Sequence, residues 1–173
     1  MVLKREYDFL NWISPPSSLK LTNSAARRVW IRGWQTRIAI EPVDILARIE
    51  ARQENVNPEY EAVSHFHISP FDKDGARIEY GQDILLPYGS FEWAPFKKTL
   101  KIPSNTKTIL LYVSGGPGTP ENPGVTWFDN LKIYQDGVLI YENKFTAPIV
   151  QTAIGVVLPI ATGLGVIRFG KKG

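Results

Sequence analysis

Apolar residues recur at every second position along much of this chain, and this feature constrains the fold more than any other. Between Arg37 and Arg52 the apolar residues are mostly two apart, and the same spacing returns from Tyr60 to Ile68. A period of two is that of a half-buried strand, whose successive side chains face opposite sides of a sheet. No segment shows three turns of amphipathic helix. Closely spaced strands punctuated by Gly, Pro, Asn and Asp predict an all-β, antiparallel sandwich or barrel.

One connecting segment has a composition of its own. Seven of the ten residues from Gly115 to Gly124 are Gly or Pro. This composition predicts an exposed connection between two central strands. The spacing of its glycines does not match a phosphate-binding loop, so we predict no nucleotide site there.

The C-terminal segment is uncharged over the 23 residues from Phe145 to Ile167, and basic residues follow at 168, 171 and 172. About 20 mostly apolar residues are enough to cross a bilayer as a helix. Basic residues just beyond such a helix mark its cytoplasmic side. We therefore predict a single transmembrane helix over 145–168, which would contact the lipid bilayer, and a basic cytoplasmic tail over 169–173. A final buried strand is the alternative, which the Gly and Pro content also suits.

The charges of the chain are unevenly placed. The sequence holds 20 Lys+Arg and 17 Asp+Glu residues, and the segment up to Lys144 holds 17 of each sign. The net charge of +3 therefore belongs entirely to the C-terminal end. A balanced domain exerts no long-range attraction on phosphates, so we predict no nucleic-acid partner.

The predicted helix leaves two topologies open. The positive-inside rule places the large domain outside the cytoplasm, but the N-terminal residues contain no apolar signal core. The chain is then either an exported protein whose signal precedes Met1, or a tail-anchored protein whose domain lies inside.

Four segments, in order, resemble the carbohydrate-binding-module-like jelly roll, a β-sandwich of the galactose-binding-domain type. They are Val29–Trp34, His67–Gly75, Trp93–Phe96 with Leu100–Thr106, and Gly124–Leu131. The resemblance implies an antiparallel jelly-roll β-sandwich over 27–144, preceded by an N-terminal extension or first edge segment over 1–26. Such modules are found largely outside the cytoplasm. We therefore favour a single-pass protein of the cell membrane, with an extracytoplasmic domain and a cytoplasmic C terminus.

The resemblance also implies a function, glycan binding without catalysis. Sugar rings stack on Trp or Tyr, and sugar hydroxyls need a few polar partners. Five aromatic residues lie nearest the predicted loops and edges: Trp12, Trp30, Trp34, Tyr88 and Trp93. The candidate ligand-binding residues are Trp30, Arg32, Trp34, Gln35, Tyr88 and Trp93. The alternative is that these aromatic residues belong to the core or to a membrane interface.

Asp129 is a candidate metal ligand. Strict alternation places it on the inward face of a late strand, together with Trp127 and Leu131. A buried carboxylate needs compensation. Many members of the family that the sequence resembles hold a structural calcium ion, and the resemblance makes an Asp in this late strand a candidate ligand for it. A backbone or arginine partner is the alternative.

The two histidines of the chain, His65 and His67, share a strand face opposite Phe66 and Ile68. Two imidazoles are too few ligands for a defined metal site, so we predict a solvent-facing surface. The chain has no Cys and no Ser or Lys in a recognisable nucleophile context, so we predict no enzymatic activity.

Two functions remain open. The first is a membrane-anchored extracytoplasmic module that binds glycan at the cell surface. The second is a structural or accessory subunit of a membrane protein complex, with a partner protein and no glycan ligand.

Overall fold

Strands and a single 3₁₀ turn at Pro58–Tyr60 make up the regular structure of the described residues, in a computed structural model covering 1–13, 15, 17–79, 81–146, 149–151 and 157–159. In chain order the strands are β1 (Leu3–Asp8), β2 (Ser18–Asn23), β3 (Ile31–Ala39), β4 (Ile45–Val56), β5 (His65–Phe71), β6 (Gln82–Leu85), β7 (Gly89–Leu100), β8 (Thr108–Gly115), β9 (Gly124–Gln135), β10 (Val138–Asn143), β11 (Ile149–Gln151) and β12 (Val157–Pro159). Every pairing between them is antiparallel. The all-β, antiparallel part of the fold prediction is confirmed.

Two sheets form the sandwich. The first has the order β1-β2-β9-β4-β7, with β10 also paired to β9, and the second has the order β3-β8-β5-β6. Strands β2 to β9 are divided four and four between the sheets, and this strand order is that of a jelly roll. The first sheet includes β1 and β2, so residues 3–8 and 18–23 belong to the sandwich, with β1 at its edge.

The core lies between the sheets and is built by alternation. In β4 the inward residues Ile45, Ala47, Ile49 and Ala51 are fully buried. They belong to one hydrophobic cluster together with inward residues of the second sheet: Phe66, Ile68, Ile84, Ile109, Leu111 and Val113. Burying one large aliphatic or aromatic side chain contributes about 1.5–3 kcal/mol, so this cluster is the main stabilising element of the sandwich.

A β-bulge in β3 decides which of its side chains face the core. Arg32 pairs with Ser114 and Trp34 with Val113, so two steps along β3 oppose one step along β8. A Cβ atom on the intervening Gly33 would lie 2.3 Å from a methyl carbon of Leu21, so a larger residue there would displace that buried side chain. The extra residue turns Trp34 towards the core and leaves Arg32 on the outer face.

A second bulge, in β9, reverses the predicted orientation of Asp129. Across β4 and β9, Arg48 pairs with Lys132 and Glu50 with Asp129, so three steps of β9 oppose two of β4. Phe128 and Leu131, three residues apart, both belong to the core cluster. Asp129 therefore lies on the outer face of the first sheet, and the prediction of an inward carboxylate is wrong because strict alternation is interrupted.

The Gly- and Pro-rich segment joins β8 to β9, which are interior strands of the two sheets, as predicted. Its residues 115–118 are buried, and a Cβ atom on Gly116 would lie 2.6 Å from the backbone oxygen of Ala62. The prediction of an exposed connection holds only for its central part, residues 120–122.

The predicted transmembrane helix over 145–168 is wrong. Within that range the structure describes two short strands, and Ile149, Val150 and Gln151 pair antiparallel with Pro159, Leu158 and Val157. Phe145, the first residue of the range, has a buried side chain that packs in the core cluster. Among the described residues, no helix has the length and the apolar character that a membrane span requires.

The reason for this error is physical. β-Branched Ile, Val and Thr are frequent in the segment, and together with Gly and Pro they favour strand and turn over helix. The predicted single-pass location in the cell membrane, with the domain outside and the C terminus inside, depended on that helix and is also wrong. The predicted basic tail, 169–173, lies outside the described residues.

Candidate binding groove

A groove of about 620 Å³ lies on the outer face of the second sheet. Alternation produces it, because Phe66 and Ile68 of β5 face the core while His65 and His67 face outwards. The neighbouring strands contribute their own outward side chains. The groove is lined by Trp30, Arg32, Glu61, Val63, His65, His67, Asp83, Leu85, Tyr112 and Ser114.

The floor of the groove is a stack of three side chains from adjacent strands. Tyr112 of β8 lies between β3 and β5, which carry Arg32 and His67. The guanidinium carbon of Arg32 is 4.1 Å from the centre of the Tyr112 ring, and the imidazole of His67 stacks on that ring with centres 4.4 Å apart. Cation–π and stacking contacts hold these three side chains against one another. Burial raises the pKa of Tyr112, so its hydroxyl stays protonated at neutral pH.

His67 is held by hydrogen bonds at both ring nitrogens. Its Nδ1 is 2.6 Å from Oδ1 of Asp83, and its Nε2 is 2.7 Å from Oγ of Ser69. Burial acts to raise the pKa of Asp83, but the hydrogen bond from His67 and the nearby positive charges outweigh it and lower that pKa. Asp83 is therefore an anion at neutral pH, and Nδ1 of His67 donates to it.

The chain Asp83–His67–Ser69 has the order of groups found in serine hydrolases. Here the serine is only 3% exposed. A Cβ atom on Gly81 would lie 2.2 Å from Nε2 of His67, so the backbone of Gly81 covers that edge of the imidazole. Ser69 Oγ is therefore covered in this arrangement, and Asp83 and Ser69 hold the imidazole of His67 in place.

Trp30 and His65 meet at the end of the groove next to residue 63. The indole Nε1 of Trp30 donates to the carbonyl oxygen of Val63 at 2.9 Å, and Nδ1 of His65 lies 3.2 Å from the same oxygen. The two rings contact edge to face, with centres 5.9 Å apart. One backbone carbonyl therefore orients two aromatic rings. Trp30 remains 40% exposed, so part of its ring is open to a ligand.

The candidate ligand-binding residues fall into different places. Trp30 and Arg32 line the groove, and Gln35 lies beside it, its Oε1 accepting a hydrogen bond from Nη1 of Arg32 at 3.4 Å. Trp34 packs on the other side of β3, edge to face against Phe145 at 5.2 Å.

Tyr88 and Trp93 do not line the groove. Tyr88 is an exposed residue between β6 and β7, and Trp93 belongs to β7 of the first sheet. The structure thus brings together Trp30, Arg32 and Gln35, and separates them from the other three candidates.

Asp129 is fully buried and has backbone partners. Its Oδ2 accepts a hydrogen bond from the backbone N–H of Ile13 at 2.9 Å, and its Oδ1 accepts one from Asn130 at 2.7 Å. Within the described ranges, no three His, Cys, Asp or Glu side chains are grouped so that they could hold a metal ion. The calcium at Asp129 stays a prediction, and the carboxylate fastens the loop between β1 and β2 to β9.

Four residues that build the floor of the groove and its end were absent from the sequence-based set: His65, His67, Asp83 and Tyr112. The face of the two histidines was predicted correctly, but His67 is only 6% exposed, so its solvent-facing description is wrong. Asp83 and Tyr112 carry no sequence signal. Strand register alone brings them together, since His67 pairs with Asp83 on one side and with Tyr112 on the other.

No protein-family model matches this chain, and no curated protein matches it by sequence. Its fold does match solved structures. One is a xylan-binding domain of carbohydrate-binding module family 22, with 14% identity, a TM-score of 0.51, and coverage of 80% of this chain and 85% of that domain.

Two further similar structures are larger proteins. Modules of endo-1,4-β-D-xylanase 10B from Clostridium thermocellum, complexed with xylohexaose, match with 12% identity, a TM-score of 0.54, and coverage of 78% of this chain and 25% of that chain. Tailspike protein 4 of bacteriophage CBA120 matches with 9% identity, a TM-score of 0.52, and coverage of 73% and 17%. This chain thus spans most of the binding domain but a small part of the other two proteins. At such low identities the likeness shows the fold alone.

The similar structures include carbohydrate-binding modules with a β-sandwich fold, as the sequence resemblance implied. They also include enzyme chains. The predicted alternative, a subunit of a membrane complex, has no support in these comparisons or in the described residues.

Proposed function

We propose that this protein is a non-catalytic glycan-binding module and that its ligand lies in the groove over β3, β5, β6 and β8. The observation that carries the proposal is the floor of the groove, in which Arg32, Tyr112 and His67 form one ordered stack beside the half-exposed ring of Trp30.

The chemistry of the groove suits a sugar. The open part of the Trp30 ring offers an apolar surface for the C–H face of a pyranose. Arg32 supplies donors, and the Asp83 carboxylate supplies an acceptor for hydroxyl groups. Because the stack and the hydrogen bonds to Val63 already order these side chains, binding would cost little conformational entropy.

The comparisons support the same class of ligand. The family 22 domain is described as xylan-binding, and the xylanase modules were solved with xylohexaose. These are statements about those proteins, and they make xylan the first polysaccharide to test. The hydroxyl of Ser69 is buried, so it is not open to attack a substrate, and this favours binding over hydrolysis.

The test is retention on insoluble or gel-embedded polysaccharides: xylan, cellulose, mannan, mixed-linkage glucan and pectin. Trp30→Ala should weaken binding of the retained polysaccharide about tenfold or more, which corresponds to about 1.4 kcal/mol. The matched control is Trp12→Ala. Trp12 is 41% exposed, and its Nε1 also donates to a backbone carbonyl, that of Phe9 at 3.0 Å. This substitution should leave retention unchanged.

Equal losses in Trp30→Ala and Trp12→Ala, with both variants folded, would place the site elsewhere. Failure of the wild-type protein to bind any of the five polysaccharides would refute the proposed function. Release of reducing sugar by the wild-type protein, abolished in Ser69→Ala, would show that the module is catalytic.

A further inference from the structure

We propose that His65 recognises the ligand through Nε2, as the acceptor of a hydrogen bond from a ligand hydroxyl, and that protonation of this nitrogen releases the ligand. This inference rests on the proposed glycan-binding function and assigns the chemistry of one contact within that site.

The position of the His65 proton follows from geometry. Nδ1 lies 3.2 Å from the carbonyl oxygen of Val63, and a carbonyl oxygen only accepts. The proton of the neutral imidazole therefore sits on Nδ1, and Nε2 carries a lone pair. Within the described part of the chain no hydrogen bond is made to Nε2. His65 lines the groove, and its Nε2 is an acceptor that the described residues leave unused.

The groups around His65 keep it neutral at pH 7. Burial is the largest effect and lowers its pKa. The hydrogen bond to Val63 and the negative charge of Asp83 on β6 oppose that effect, while His67 on β5 and Arg32 on β3 add to it. The remaining neighbours are the edge of Trp30 and the Tyr112 ring, whose centre lies 5.9 Å from that of His65.

The other groups whose pKa is shifted do not change charge over the same range. The pKa of Asp83 is lowered, so this residue is an anion at neutral and mildly acidic pH, and the pKa of Tyr112 is raised, so it stays neutral. Glu61 also lines the groove, and its carboxylate lies 3.7 Å from Arg28 at the exposed rim. A change of affinity between about pH 5 and 8 would therefore come from an imidazole.

Two consequences follow. A protonated Nε2 donates instead of accepting, so the hydroxyl would have to turn and accept, and the proposed contact exists only with neutral His65. The affinity should be constant above the pKa of His65 and should fall below it, by up to about tenfold for each pH unit, the limit reached when the protonated form does not bind. A ligand hydroxyl is also required as donor, so a glycan methylated at that hydroxyl should bind more weakly than its parent.

The experiment measures affinity by isothermal titration calorimetry from pH 4.5 to 8. The probes are xylohexaose, cellohexaose and mannohexaose, with wild type and His65→Gln compared. The glutamine side chain of His65→Gln keeps an acceptor but does not titrate. Imidazole ¹⁵N spectra of the wild type give the tautomer and the pKa of each histidine without ligand.

The expected result is the Nδ1–H tautomer at His65 and a wild-type affinity that falls below the measured His65 pKa. This fall should follow the measured titration of His65 and not that of His67, and it should be absent from His65→Gln. If His65→Gln does not bind at any pH, the inference is still supported when the wild-type affinity falls at the pH at which the imidazole of His65 is seen to titrate.

Three results would overturn it: an Nε2–H tautomer, a wild-type affinity independent of pH, or a pH dependence that persists in His65→Gln. If the protein binds a glycan but gives one of these three results, the proposed glycan-binding function still stands. Absence of wild-type binding to all three probes at every pH, together with no retention on the five polysaccharides, would remove both proposals.

Discussion

Replacing Gly81 with alanine tests how tightly the groove is built. A Cβ atom at this position would lie 2.2 Å from Nε2 of His67 and 2.4 Å from the backbone oxygen of Ile68. Neither contact can exist, so the imidazole or the backbone must move. Asp83 and Ser69 hold the imidazole at 2.6 and 2.7 Å, so a shift breaks at least one of these two hydrogen bonds.

The magnitude follows from two terms. Overpacking a filled site costs about 1–3 kcal/mol, and the loss of a hydrogen bond at a buried group adds about 1 kcal/mol. We expect Gly81→Ala to lose about 2–4 kcal/mol of unfolding free energy in total. For a chain of this size, each kcal/mol lowers Tm by about 2–4 °C, so the expected fall is roughly 5–15 °C.

The assay is urea unfolding with imidazole NMR, and Gly75→Ala is the control. Gly75 has φ +78° and nothing within 4 Å of an added Cβ, so alanine there meets only backbone strain of about 1–2 kcal/mol. The His67 signals should move in Gly81→Ala and stay in place in Gly75→Ala. Wild-type stability and unchanged His67 signals in Gly81→Ala would refute the described packing.

The remaining predictions concern the two bulges. Trp34→Ala should destabilise the fold by about 2–4 kcal/mol in urea unfolding, because the ring packs against the core. At temperatures where it stays folded, this variant should retain the same polysaccharide as wild type, and loss of retention with intact folding would place Trp34 in the site. Asp129→Ala should cost about 2–3 kcal/mol, because the backbone N–H groups of Ile13 and Asn130 lose their acceptor. A change below about 0.5 kcal/mol would show that the carboxylate does not fasten the loop.

The strands were predictable because burial on one face imposes a period of two on the sequence. The bulges at Gly33 and Asn130 were not, since each inserts one residue without changing local composition. Their effect is large. They turn Trp34 inwards and Asp129 outwards, which separates Trp34 from the proposed ligand and places Asp129 under the loop between β1 and β2.

The C-terminal error has a different origin. Apolar content and length do not distinguish a membrane helix from short apolar strands, and the pairing of Ile149–Gln151 with Val157–Pro159 depends on backbone hydrogen bonds that composition does not encode. For the candidate site, Trp30 and Arg32 could be identified by residue type near a predicted strand. Asp83 and Tyr112 could not, because only the register of β5 with its neighbours brings them to His67.

Glycan binding in the groove is tested most directly by NMR titration of the ¹⁵N-labelled protein with the polysaccharide fragment that it binds. We predict that the indole N–H of Trp30 and the imidazole signals of His65 shift on addition of ligand, while the indole N–H of Trp12 does not. Shifts confined to Trp12, or to residues of the first sheet, would contradict glycan binding in the groove.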